Sequence, residues 1–273
     1  MLPRRLNQSL IKKVVDREGD CHGCPRYIFE VLIEGSYDFS SKPMLYGSYF
    51  EAGFLGSTVD GTNDIILPLA KGKPSAINKR LDVQIENAKR VAADFDINLE
   101  FIQTKMTLPF NDKWYFEGTC DIFPAVVDRE LVILDTKMTQ NLDANYGEYS
   151  WGDGTKNTSL CDLVDYMPSQ YDDIQSQLYM QLSTHPDTVF TNEGVVLPFK
   201  TDKISFIYWV FEHSKLMRWR MFRTRITPQS TLELRIRLRK AIRTLEEYEQ
   251  NGWKENPSKI NCRVCPIPCK KRK

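Results

Sequence analysis

This sequence contains no apolar run near the ~18 residues that a membrane-spanning helix requires, so no membrane association is expected. Its first residues do not set a basic segment before a long apolar one, the pattern of a secretory signal. The expectation is a soluble, intracellular, cytoplasmic protein. An excess of positive charge is missing too. Lys and Arg number 37 against 36 Asp and Glu, a net charge of +1, so any case for nucleic acid must rest on local patches. There is no Gly-x-x-x-x-Gly-Lys-[Ser/Thr] phosphate loop, which excludes a recognisable helicase motor within these residues. Internal repeats and low-complexity tracts are absent as well. What remains is a chain of 273 residues, long enough to bury a sizeable core in one domain with an added cap.

The most informative stretch runs from Trp114 to Thr139, WYFEGTCDIFPAVVDRELVILDTKMT. Aromatic and β-branched residues fill 114–117, 120–127 and 131–134, and the polar Asp128-Arg129-Glu130 interrupts them, which predicts a β-hairpin. Asp121 falls in the first strand. Asp135 and Lys137 close the second, two residues apart, so a pleat puts both side chains on one face. Converging carboxylates repel each other, and a hard divalent cation such as Mg²⁺ or Mn²⁺ relieves that repulsion. Such a cation lowers the pKa of bound water and neutralises charge growing on a phosphate. An ammonium beside it orients the water or stabilises the transition state. The bland alternative is a solvated Asp-x-Lys on an exposed hairpin.

Around the hairpin, helical and strand patterns alternate. Leu6 to Val15 mixes apolar and basic residues in a helical rhythm, and residues 35–43 have the composition of a loop. From Ser75, a plausible cap, the series Ile77, Leu81, Ile85, Ala88, Val91, Ala92, Phe95 recurs at helical spacing. Leu99 to Leu108 predicts a strand. Residues 140–168, polar and glycine-bearing, predict a long irregular segment, read either as a loop that faces substrate or as a surface insertion with no role. Tyr171, Ile174, Leu178 and Leu182 mark a helix over 169–184, on which Gln175 and Tyr179 lie one turn apart and project together. Ile204 to Phe211 predicts a buried strand, with Leu216 to Ile226 as its hairpin partner. There Arg218, Arg220, Arg223 and Arg225 interleave with Trp219, Met221 and Phe222. This pattern suits either phosphate gripping with base stacking or a half-exposed strand with cationic solvent positions. Pro228 to Gln250 is the longest amphipathic pattern, stopped by Asn251-Gly252.

Cysteines stand at 21, 24, 120, 161, 262, 265 and 269, and in an intracellular chain such clusters point to metal or catalysis rather than disulfides. Cys262, Cys265 and Cys269 are close enough to converge on one centre, with Cys24 or Cys21 as the natural fourth ligand. CxxC at both ends suits tetrahedral Zn²⁺; thiolate ligation also suits an iron–sulfur cluster. Cys120 and Cys161 have no such grouping.

Gly118-Thr-Cys-Asp121 followed by Leu134-Asp135-Thr136-Lys137 resembles the signature of the PD-(D/E)xK nucleases. With Gln175-Ser-Gln-Leu-Tyr179, it resembles their RecB-like branch, including the CRISPR-associated exonucleases and the nuclease domain of AddB. The resemblance implies an α/β fold with a restriction-endonuclease-like core, a central mixed sheet flanked by helices. It implies a single nuclease domain over 1–273, with the core at about 44–226 and a metal-stapled cap formed by 1–34 and 228–273. It further implies that Asp121, Asp135, Glu51 and the backbone carbonyl of Thr136 hold Mg²⁺ or Mn²⁺, that Lys137 assists the attacking water, and that Gln175 and Tyr179 support the site. Glu51 closes Gly47-Ser-Tyr-Phe-Glu51, where the branch usually carries Gly-x-x-x-His; the spacing survives and the ligand type changes to a harder donor. In the exonucleases resembled, one cysteine before the core and three after it hold a [4Fe-4S] cluster, which implies Cys24, Cys262, Cys265 and Cys269, with Cys21 the alternative ligand and Zn²⁺ the alternative metal. The activity implied is metal-dependent hydrolysis of DNA, single-stranded or with free ends, in recombination, repair or end processing. A helicase or recombination partner would be a separate chain. The competing readings are a catalytically inactive DNA-binding protein on the same scaffold and a zinc-stabilised interaction module.

Overall fold

The computed structural model describes residues 4–16, 23–36, 41–56, 65–67, 74–146, 173–255 and 267. In chain order they form β1 (Arg4–Leu6), α1 (Gln8–Val14), α2 (Pro25–Tyr27, continuing as π-helical Ile28–Ile33), α3 (Lys42–Leu55), α4 (Ala76–Asp94), β2 (Ile102–Pro109), β3 (Trp114–Val127), β4 (Glu130–Thr139), α5 (Leu142–Tyr146), α6 (Ile174–Ser183), β5 (Val189–Asn192), β6 (Val195–Leu197), β7 (Ser205–Glu212), β8 (Trp219–Arg225) and α7 (Pro228–Gln250). They divide into two compact units. One comprises residues 1–40, 109–117 and 228–273, the other 41–108 and 118–227.

The second unit carries most of a mixed sheet of order β6-β5-β2-β3-β4-β7-β8. The β3/β4 hairpin is antiparallel, as its turn chemistry requires, with Asp128 and Arg129 at positive φ (51° and 65°) in a two-residue turn. β4 and β7 pair in parallel, Asp135 opposite Tyr208 and Lys137 opposite Val210. β7 and β8 then pair antiparallel. A parallel strand is covered on both faces, which is why β7 reads SFIYWVFE without polar alternation and is buried throughout. Ile207, Trp209 and Phe211 join Phe50, Phe54, Ile85 and Ala88 of α3 and α4 in the core on one face. Phe206 and Tyr208 meet α6 on the other: Phe206 packs 6.2 Å from the Tyr179 ring, and the Tyr208 hydroxyl donates to buried Asp173 at 2.6 Å. The result is an α/β architecture, a mixed sheet flanked by helices.

Local chemistry sets the element ends. Ser41 and Ser75 accept from the backbone N–H of Met44 and Asn78 and so cap α3 and α4. Gly56 closes α3 at φ +86°, a conformation that a β-carbon disfavours. In β3, Pro124 has no N–H to give the ladder, and the register slips there: Ile122 opposes Leu134, whereas Ala125 opposes Val132. The bulge falls immediately after Asp121.

Three elements differ from the sequence expectation. The first helix starts at Gln8 because the Asn7 side chain caps it, accepting from Leu10 N at 2.8 Å; Arg4–Leu6 before it is a strand. Within the expected loop 140–168, Asn141 accepts from Ala144 N at 3.0 Å and starts the short helix α5; residues 147–168 lie outside the described residues. The β5/β6 hairpin has no counterpart in the sequence expectation. Its turn is Glu193-Gly194, at φ +48° and +81°.

In the first unit, β1 runs parallel to the start of β3, Arg4 opposite Trp114 and Leu6 opposite Phe116. Arg237 of α7 donates to the carbonyl of Val15 at 3.0 and 2.7 Å and so completes the end of α1. Arg4 bonds Glu249 at 2.7 Å and lies 6.0 Å from the ring centres of Trp114 and Trp253. Phe29 stacks on Trp253 at 5.0 Å, and Arg26 bridges Glu30 and Glu255. Residues from both ends of the chain thus share one core.

Candidate active site

The second unit gathers Glu51, Asp121, Asp135, Thr136, Lys137, Gln175 and Tyr179 from α3, β3, β4 and α6. Asp121 Oδ2 accepts from both the Thr136 backbone N–H (2.6 Å) and the Thr136 hydroxyl (2.7 Å), which ties the two strands of the hairpin together beside the bulge. Lys137 forms a close ion pair with Asp135, as expected for side chains two apart on one pleat face. Gln175 donates to the other oxygen of Asp135 at 2.6 Å. Tyr179, one turn further along α6, accepts from Thr119 N at 3.3 Å through its hydroxyl and lays its ring on Gly118. A β-carbon at position 118 would stand 2.6 Å from Tyr179 Cε1, inside any real contact distance. Glycine at 118 is therefore what lets α6 approach β3. Glu51 is held by Gln103, whose amide donates to it at 2.6 Å.

Three carboxylates share one ammonium here, and the electrostatics follow from that deficit. Burial, aided by the charge of Asp121, pushes the Glu51 carboxyl up to about 8, while the Gln103 bond and Lys137 pull it down. Asp135, 1% exposed, is also pushed upward by burial, with Asp121 adding to the effect and Lys137 and Gln175 opposing it. Burial alone would lower the Lys137 pKa, but Asp135 and Asp121 outweigh it, so this side chain stays an ammonium. Burial raises the Cys120 thiol and the Tyr179 phenol, keeping both neutral.

Whether this donor set fits a divalent cation can be tested on its own atoms. Asp135 Oδ2 is buried and, although ion-paired with Lys137, receives no well-directed hydrogen bond. All the donors are oxygens and three are carboxylates, the chemistry of a hard-ion site. Among the described residues, however, no three His, Cys, Asp or Glu side chains stand close enough to form a finished metal cage. The carboxylate oxygens are instead turned to Thr136, Lys137, Gln175 and Gln103. The ligand types fit; the cage is not drawn together.

The four arginines at and just before β8 do not stand as the free solvent cations of a half-exposed strand. Arg220 and Arg223 are buried, and all four guanidiniums are paired: Arg218 with Glu212 and Asp143 (both 2.8 Å), Arg220 with Asp143 (3.1 Å), Arg223 with Asp128 (2.7 Å), and Arg225 with Glu130. Their charge braces α5 and the β3/β4 turn rather than facing outward. The sequence showed the arginines but not their partners, which are 6 to 95 residues away. Of the proposed cluster ligands, Cys24 is half-buried ahead of α2; Cys21, Cys262, Cys265 and Cys269 lie outside the described residues, as does Cys161.

Gln103 and the Thr136 hydroxyl escaped the sequence reading. Gln103 sits at φ +52°, rare for a residue with a β-carbon, at the start of β2. No local signal in the sequence marks it. Thr136 carried a signal only for its carbonyl.

The chain matches no established protein-family profile. No curated protein matches it either. Among solved structures, a crystal structure from Eubacterium rectale, of a protein provisionally called an exonuclease, aligns with a TM-score of 0.58 at 18% identity, covering 96% of this chain and 94% of that one. At that identity the likeness is one of fold, and it extends over nearly the whole of both chains. Among the described residues no helix is long and apolar enough to cross a membrane.

Proposed function

We propose that this chain is a divalent-cation-dependent deoxyribonuclease of the RecB-like type, acting on DNA as an exonuclease. The observation that carries the reading is the meeting of Asp121, Asp135 and Lys137, from a hairpin, with Gln175 of α6 in one buried cluster. The exonuclease name of the Eubacterium rectale protein, whose fold the chain shares, points the same way.

Asp121, Asp135 and Glu51, with the Thr136 carbonyl, would hold Mg²⁺ or Mn²⁺. When bound, such an ion supplies Lewis acidity toward a phosphoryl oxygen and an acidified water. The side chains do the rest. Lys137, kept protonated by its neighbours, is no general base; it donates hydrogen bonds to the attacking water or to charge developing on the phosphate. Gln175 fixes one oxygen of Asp135, leaving the other for its charged partner. Tyr179 anchors α6 to the backbone at Thr119, which keeps Gln175 in register. In the hydrolysis, a water oxygen bonds to phosphorus and gives up a proton to solvent as the bond to the leaving sugar oxygen breaks, and that oxygen takes up a proton from solvent, so the protons balance.

A second reading has one observation in its favour. One oxygen each of Asp121 and Glu51 accepts from a protein donor, Thr136 and Gln103, which leaves fewer oxygens for a cation and so favours a scaffold that does not cleave. Purified protein with end-labelled DNA and Mg²⁺ or Mn²⁺ decides between them: shortened products that vanish with EDTA and in Asp121→Ala support the nuclease, while retention of intact DNA supports the binding protein. The cysteine staple, as [4Fe-4S] or zinc, belongs to the same proposal.

A further inference from the structure

The β8 arginines are consumed by carboxylates, yet another row of cations is not. On α7, Leu234, Ala241 and Leu245 define the buried side, together with Ile242. The opposite side carries two parallel ridges at four-residue spacing. One is Arg235, Arg239 and Arg243, all exposed; the other begins with Leu232 and Ile236, 54% and 57% exposed. Arg243 reaches Glu247 at 3.9 Å, but with side chains 73% and 59% exposed that pair is weak and screened. Four residues of α-helix advance about 6 Å, so the guanidiniums repeat at about the pitch of successive phosphates on an extended strand.

We infer that this face of α7 is a docking surface for the backbone of a single nucleic-acid strand, with Arg235, Arg239 and Arg243 on the phosphates and Leu232 and Ile236 against sugars or bases. The charge is complementary to a polyanion, and it is local in a chain whose net charge is only +1. Guanidiniums suit phosphate because their planar fork bonds two oxygens at once. A lipid surface fits less well, since two exposed aliphatic side chains offer little to bury and the helix's main apolar side is already spent on the protein core. The choice of nucleic acid over an acidic protein rests on the proposed nuclease function; the charge ridge itself does not.

The test is fluorescence anisotropy of the full chain in an Asp121→Ala background, without added divalent cation or chelator so that cleavage plays no part and the cysteine staple keeps its metal, with a fluorescein-labelled single-stranded oligonucleotide across a series of KCl concentrations. The variant Arg235→Gln/Arg239→Gln/Arg243→Gln should bind roughly tenfold to a hundredfold more weakly near 0.1 M salt, and the slope of log K against log salt should flatten by about 2, roughly 0.7 for each phosphate lost. The Arg→Lys triple variant should keep the parent slope, which separates loss of charge from loss of fold. Equal affinity and slope in the Gln variant would overturn the inference. So would unchanged oligonucleotide binding in that variant together with lost binding to phosphatidylserine vesicles or to polyglutamate. Because binding is read without cleavage, an inactive native sequence whose Asp121→Ala form still shows the charge-dependent slope refutes the nuclease reading alone.

Discussion

Gly118→Ala is the sharpest test of how the candidate site is assembled. The new β-carbon would lie 2.6, 3.0 and 3.1 Å from three carbons of the Tyr179 ring, whereas carbons in contact sit about 3.5–4.0 Å apart. The ring must therefore retreat by about 1 Å. It cannot swing freely, because the side chain is 6% exposed, packs against Phe206 and bonds Thr119 through its hydroxyl. Retreat of the ring carries α6 with it, and Gln175, one turn earlier, loses its 2.6 Å contact with Asp135. Overpacking of this kind costs about 1–3 kcal/mol, while a misplacement of about 1 Å at a reacting centre can cost about 10²-fold in rate. The assay is a double-mutant cycle with Tyr179→Leu, read by urea denaturation and by cleavage of end-labelled DNA. In the Tyr179→Leu background the added methyl has room, so the destabilisation from Gly118→Ala should shrink, with a coupling of about 0.5–3 kcal/mol. If Gly118→Ala destabilises both backgrounds equally, the close approach of Tyr179 does not govern this position.

Three further outcomes follow from the same geometry, and a fourth from the spacing of the cysteines in the sequence. Asp121→Ala and Asp135→Ala should abolish Mg²⁺- or Mn²⁺-dependent cleavage, and Lys137→Ala should lower kcat about 10²–10³-fold while calorimetric metal affinity persists, since an ammonium ligates no cation. For pH, the folded protein keeps the Glu51 proton up to about 8 while the unfolded chain loses it near the ordinary glutamate value; the native state then binds more protons, so metal-free stability should fall as pH rises between those values. Urea midpoints at pH 5.5 and 8.5 should show that fall in the wild type and a flatter response in Glu51→Gln. Tyr208→Phe removes a donor from buried Asp173 and should destabilise by about 1–3 kcal/mol, measured by thermal unfolding. Anaerobically purified protein should contain iron and acid-labile sulfide that Cys265→Ser eliminates; stoichiometric zinc without sulfide would point to the alternative metal.

Much of the fold was legible in the sequence because it rests on short-range rules. The alternation around Asp128-Arg129 dictates the β3/β4 hairpin, Ser75 announces α4, and the unbroken apolar run of β7 requires cover on both faces. The pairing of Asp135 with Lys137 likewise follows from a period of two. Other features depend on what meets across long separations in sequence. Arg220 and Arg223 look like solvent cations until Asp143 and Asp128 arrive from elsewhere in the chain, and a buried guanidinium must be paired. Gln103 reaches Glu51 only because its backbone takes up a positive φ, and Gly118 is needed only because Tyr179 lands on it. Residue type and spacing determined which side chains could do chemistry; the tertiary structure decided which of them keep a free charge, because a charge is neutralised by its neighbours in space rather than by those in sequence.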